Sequence, residues 1–113
     1  MSIFVQILTI QNNKSPNWND YAIRKKIRRL REERKLLQRQ LAAALEIDTP
    51  MYSKIERGDR PAKRTQVVAL ARLLSIDENE LLTLWLADKV IDVLEGESDL
   101  AANALKIVNK NLN

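Results

Sequence analysis

Leu41, Ala42, Leu45, Ile47, Tyr52 and Ile55 form the apolar spacing that most constrains how this chain folds. Inward residues at those intervals belong to two short helices joined by three or four residues and crossing steeply, with small Ala42 letting the second backbone come close to the first. The first spans about 37–45 and the second about 49–57. Asp48 is placed to cap the second helix, and Gly58 to end it in the left-handed conformation. Helices this short are marginal in water, so packing against the rest of the domain must hold the pair.

Helical periodicity continues on both sides. A helix over about 20–34, with Asn19 as its cap, buries Ile23, Ile27 and Leu30, and Trp18 is placed to staple onto Ile23. After Pro61, Val67, Val68, Leu70, Ala71 and Leu74 mark a fourth helix. A fifth runs from about 77 to 95, capped by Asp77 and stopped near Gly96, and it is apolar over more than one face. One stripe suffices for a surface helix, so the surplus predicts a second contact. Ser98 is expected to cap a sixth helix over about 99–110. Residues 3–10 read as a short strand or a frayed tail, and residues 11–17 as a polar linker. The opening apolar run lacks a positive leader and a cleavage site and is too short to span a bilayer, from which we expect a cytoplasmic protein. The fold class is all-α.

Composition narrows the chemistry. With no histidine, no cysteine and two glycines in 113 residues, the chain lacks the usual base, the thiolate nucleophile and the commonest metal ligands. No acid stands against a phosphate-cradling loop, which argues against an enzyme, a metal site or a cofactor. Charge is unevenly spread: residues 20–64 hold 14 basic against 7 acidic side chains, and residues 65–113 hold 4 against 8. A basic block suggests a polyanion partner, although a charge run is also what a solvated helix face looks like. A basic amphipathic helix can also lie on an anionic membrane, but the core-bearing helix pair that follows it argues for a globular domain and no membrane role.

In "TPMYSKIERGDR", residues 49–60, inward Tyr52 and Ile55 turn Pro50, Ser53, Lys54 and Arg57 outward. Such a face suits a groove of stacked bases. Lys54 can donate to guanine, Thr49 and Ser53 can donate or accept, and Pro50 and Met51 offer apolar contact, with packing into the helix crevice an equal reading for Met51. No Asn or Gln reads adenine from this helix, so DNA shape is expected to supply part of any discrimination.

The stretch "LREERKLLQRQLAAALEIDTPMYSKIERGDRPAK", with "VVALARLLSIDENELL" downstream, resembles the helix-turn-helix domain of XRE, Cro and lambda-repressor-like transcriptional regulators over residues 23–84. The compact all-helical build also resembles restriction-modification controllers. The resemblance implies a five-helix DNA-binding domain, with the sixth helix and the candidate N-terminal strand as additions. It implies base contacts from Thr49, Pro50, Met51, Ser53 and Lys54, and phosphate contacts from Gln38, Arg57 and Arg60; apart from the resemblance, the basic residues around the apolar stripe of the first helix offer Arg24 and Arg28 as further candidates for backbone contact. Arg31 and Glu56 match a structural ion pair. Two positions depart from the family pattern: Glu46 stands where glycine is usual in the turn, and Leu37 where Thr or Ser caps the second helix.

Together these readings predict a homodimeric regulator, often a repressor in this family, bound to double-stranded DNA. Its expected organisation is an arm over residues 1–18, a DNA-binding domain over 19–84 and a dimerisation extension over 85–113, with Leu84, Trp85, Val90, Ile91 and Leu94 at the interface. One rival is an antitoxin-type autoregulator whose C-terminal segment wraps a partner protein. The other is an RNA binder, disfavoured by the absence of aromatic side chains on the basic face.

Overall fold

The computed structural model describes residues 23–113, and six helices make up its regular structure: α1 (Ile23–Glu33), α2 (Gln38–Ala44), α3 (Thr49–Arg57), α4 (Arg64–Leu73), α5 (Glu78–Leu94) and α6 (Ser98–Leu112). No strand occurs among the described residues, and the fold is all-α. The expected strand at 3–10, the Asn19 cap and the Trp18 staple lie outside them.

One core joins the first five helices. Ile23, Ile27 and Leu30 of α1, Leu41 and Ala42 of α2, Tyr52 and Ile55 of α3, Val67, Leu70 and Ala71 of α4, Leu74 beyond it and Leu81 of α5 are all buried together. Leu36, Leu45, Ile47, Ile76, Leu82, Leu84 and Trp85 pack around them. Ala62, in the connection between α3 and α4, is also buried. The division expected between residues 84 and 85 falls inside α5, whose first turns belong to this core.

Three connections share one device. Lys35, Glu46 and Ser75 have φ of 54°, 57° and 55°, left-handed without being glycine. In each case the next amide reaches back to a carbonyl of the last helical turn: Leu36 to Arg31 at 3.0 Å, Ile47 to Ala42 at 3.0 Å and Ile76 to Ala71 at 2.9 Å. This is the Schellman closure, and its hydrophobic companions Leu36, Ile47 and Ile76 all pack on the core. Burial of the residue after the turn offsets a left-handed cost of about 1 kcal/mol at Glu46. That explains how the α2–α3 turn forms without glycine.

The caps follow local chemistry. Asp48 Oδ1 accepts from the Met51 amide at 2.7 Å, and Asp77 Oδ2 from the Glu80 amide at 3.2 Å. Leu37 offers α2 no side-chain acceptor, but Gln40 Oε1 accepts from the Leu37 amide at 2.7 Å, half of a capping box. At α6 the expectation needs correction: Glu97 occupies the cap position without a side-chain bond, and Ser98 is already helical. Serine there gains nothing by capping because the turn through Gly96, at φ 81°, starts the helix one residue early.

α6 stands apart energetically. Of its 15 residues only Ala101 is buried, while the other helices reach the shared core.

Candidate nucleic-acid interface

α3 is anchored at both ends and along one side. Asp48 caps its start, Gly58 at φ 83° closes its end, and Tyr52, Ile55 and Glu56 are buried beneath it. Thr49, Pro50, Lys54 and Arg57 are exposed, and Met51 and Ser53 are half-buried. Every residue expected to touch bases therefore lies on one short helix, with Met51 and Ser53 at the margins of its outward face. Lys54 has no ion pair among the described residues, so its ammonium is free to donate.

Beneath α3 lies a buried polar nest. Arg31 grips Glu56 with two nitrogens, Nη2 to Oε1 at 2.8 Å and Nε to Oε2 at 3.0 Å, and Arg31 Nη1 donates to the Leu36 carbonyl at 3.0 Å. Gln38 Nε2 donates to Glu56 Oε1 at 3.3 Å. Burial alone would raise the Glu56 carboxyl, but the Arg31 guanidinium, with Tyr52 and Gln38, outweighs it and holds the group below its ordinary value. Burial and the neighbouring Glu56 carboxylate push the Tyr52 phenol strongly upward. The Tyr52 hydroxyl is buried close to the Glu56 carboxylate without a well-formed hydrogen bond. The nest ties α1, the start of α2 and α3 into one unit, which sets the pose of the outward face.

The expected phosphate-binding residues are distributed unevenly. Gln38 sits at the start of α2 with its amide nitrogen engaged by Glu56 and its carbonyl oxygen committed to no described partner. Arg57 is exposed and bonded to Asp59 at 3.1 Å and to Ser53 Oγ at 3.4 Å, and Arg60 is exposed just past it. Arg24 is differently employed. Its Nη1 donates to the Arg57 carbonyl and its side chain lies over Gly58, where an added Cβ would come within 2.8 Å of Cδ. A cation at that carbonyl complements the negative end of α3, so Arg24, half-exposed, secures the end of α3. Arg28 is exposed and paired along its own helix with Glu32 at 3.1 Å.

Several contacts had no local signature in the sequence. Trp85 Nε1 donates to the Ala62 carbonyl at 2.8 Å, and its ring lies under the Lys89 ammonium at 4.4 Å and the Arg64 guanidinium at 5.9 Å. Asp88 Oδ2 accepts from the Ile23 amide at 3.1 Å; burial raises its carboxyl, with Asp92 adding to the rise, while the Ile23 amide and Arg24 oppose it. Trp85, Asp88, Lys89, Asp92 and Arg60 line a cleft of about 170 Å³ behind the end of α3. Trp85 and Leu84, expected at a dimer interface, are thus packed on their own core, while Ile91 and Leu94 are half-buried and Val90 is exposed.

Two short helices crossed over a four-residue connection, the second presenting a polar and basic face to solvent, define a helix-turn-helix unit. A family model described as a helix-turn-helix domain matches residues 23–84, more than half of the chain, and the chain belongs to that family. Comparison with curated proteins and with solved structures found no match. No helix among the described residues is long and apolar enough to cross a membrane.

Proposed function

We propose that this chain is a sequence-specific double-stranded DNA-binding transcriptional regulator of the XRE, Cro and lambda-repressor kind, acting as a homodimer. The observation that carries the reading is the outward face of α3, where Thr49, Pro50 and the unpaired Lys54 are exposed beside Ser53 and Met51. α3 enters the major groove, Lys54 donates to a guanine edge, and Pro50 with Met51 contacts a thymine methyl. Gln38, Arg57 and Arg60 hold the phosphates on either side, Arg28 lies further out, and Arg24 acts chiefly by bracing α3. One short recognition helix carries little sequence information, whereas two related by a two-fold axis read half-sites about 10 base pairs apart.

Selection from a pool of random duplexes tests this directly. The expected result is enrichment of a symmetric site; recovery of no preferred sequence would contradict it. The exposed apolar side chains of α5 and α6 also suit an autoregulator whose C-terminal segment holds another protein, and this second reading keeps the same DNA-binding face. Co-purification of a stoichiometric partner, in place of a homodimer, is the result it predicts.

A further inference from the structure

Between residues 49 and 64 the chain carries five basic side chains and two acidic ones, Glu56 and Asp59. Glu56 is buried and gripped by Arg31, which leaves Asp59 as the exposed carboxylate of the segment proposed to meet phosphates. Stability of α3 does not account for it. A carboxylate just past a helix C-terminus meets the negative end of the dipole, the unfavourable end for an anion.

Asp59 holds Arg57. Closure of α3 fixes its backbone, the Asp59 amide donating to the Lys54 carbonyl at 2.8 Å, so the carboxylate is presented to the guanidinium from a set position. Arg57 Nε donates to Asp59 Oδ2 at 3.1 Å, and Arg57 Nη1 to Ser53 Oγ, one turn back, at 3.4 Å. The guanidinium is thus drawn along the outward face of α3, where a proposed phosphate contact and a proposed base contact occupy each other. Resting on the DNA-binding reading above, we infer that Asp59 is a latch, holding Arg57 against Ser53 in the free protein and yielding it to a backbone phosphate when a duplex binds.

The exchange has a physical route. Arg57 Nη2 has no hydrogen-bond partner among the described residues, so a phosphate oxygen can reach it first and then take Nε as well. Two parallel N–H bonds to phosphate replace one to a carboxylate. Departure of the guanidinium leaves the Ser53 hydroxyl open to a base edge, and phosphate capture therefore precedes reading at that position. The carboxylate left behind stands beside phosphate oxygens and repels them. Both effects oppose binding, and because phosphates carry no sequence information they oppose it on every duplex alike. An exposed ion pair of this kind is worth up to about fivefold in an equilibrium constant, and the repulsion adds to it.

Fluorescence anisotropy on the full chain tests the latch with two labelled duplexes, the site recovered by selection and an unrelated sequence of equal length. The proteins are wild type, Asp59→Asn, Arg57→Ala and the double variant, each checked for a cooperative melt by circular dichroism; both side chains are exposed, at 59% and 61%, so the fold should persist. Asp59→Asn is expected to tighten binding to both duplexes about three- to tenfold. In the Arg57→Ala background the same substitution should lose most of that gain, since there is no guanidinium left to release. Unchanged or weaker binding by Asp59→Asn would overturn the latch, and so would an equal gain in both backgrounds, which would make Asp59 a repelling charge that acts without Arg57. Neither result touches the DNA-binding reading. A folded wild type that binds neither duplex would overturn that reading, and the latch with it.

Discussion

Glu56 is buried and charged, and its surroundings determine whether that stabilises or destabilises the domain. Arg31 satisfies it through two nitrogens, so removing Arg31 strands a carboxylate in a low-dielectric site. Arg31→Met is expected to cost about 3–5 kcal/mol of unfolding free energy in urea titration. Replacing both members, as Arg31→Met with Glu56→Leu, should recover a large part of that cost, because no charge is then left unpaired. The pH dependence has a definite sign. The folded-state Glu56 carboxyl lies below its ordinary value of 4.5, so its contribution is present above that value and is lost as pH falls through the lower folded-state one. Glu56→Gln should flatten this part of the acid limb. Asp88 acts with the opposite sign, since its carboxyl is raised, and stability gained on its protonation offsets part of the Glu56 loss.

Legibility in the sequence divided along the range of the interaction. α3 was readable to the residue because both of its stops are local: a carboxylate capping an amide three positions on, and a glycine at positive φ. The left-handed turn at Glu46 is legible only through the family pattern, which usually has glycine there. Ser98 was misplaced as a cap because the start of α6 depends on the turn through Gly96. The Trp85 bond to the Ala62 carbonyl and the Asp88 bond to the Ile23 amide span 23 and 65 residues, and no spacing rule announces such partners. Trp85 consequently reads in sequence as surplus apolar surface, and in the structure it tethers α5 to the connection after α3. At the α2–α3 turn, Glu46→Val should destabilise the domain by more than about 1 kcal/mol, since a β-branched residue suits φ 57° poorly, while Glu46→Gly should be near neutral or slightly stabilising. Thermal melts of the two variants give that ordering.

For the whole molecule, α1 to α5 share one core that presents a small outward face, and α6 carries the exposed apolar side chains Leu100, Ile107, Val108 and Leu112. The proposed phosphate contacts from Arg57 and Arg60 in each of two subunits predict a slope of log affinity against log salt of about −4 on duplex DNA, at about −0.9 per charged contact, and neutral Gln38 adds affinity without adding to the slope. Gln38→Ala should weaken binding to all sequences alike, whereas Lys54→Ala should cost about 1–3 kcal/mol on the preferred site and little elsewhere. The proposed assignment of sequence reading to α3 is tested most directly by parallel selections from one random duplex pool with wild type and Lys54→Ala. Wild type should yield a symmetric site with a guanine preference in each half, and Lys54→Ala should lose that preference while keeping the remaining positions. Identical selected sites from the two proteins would contradict it.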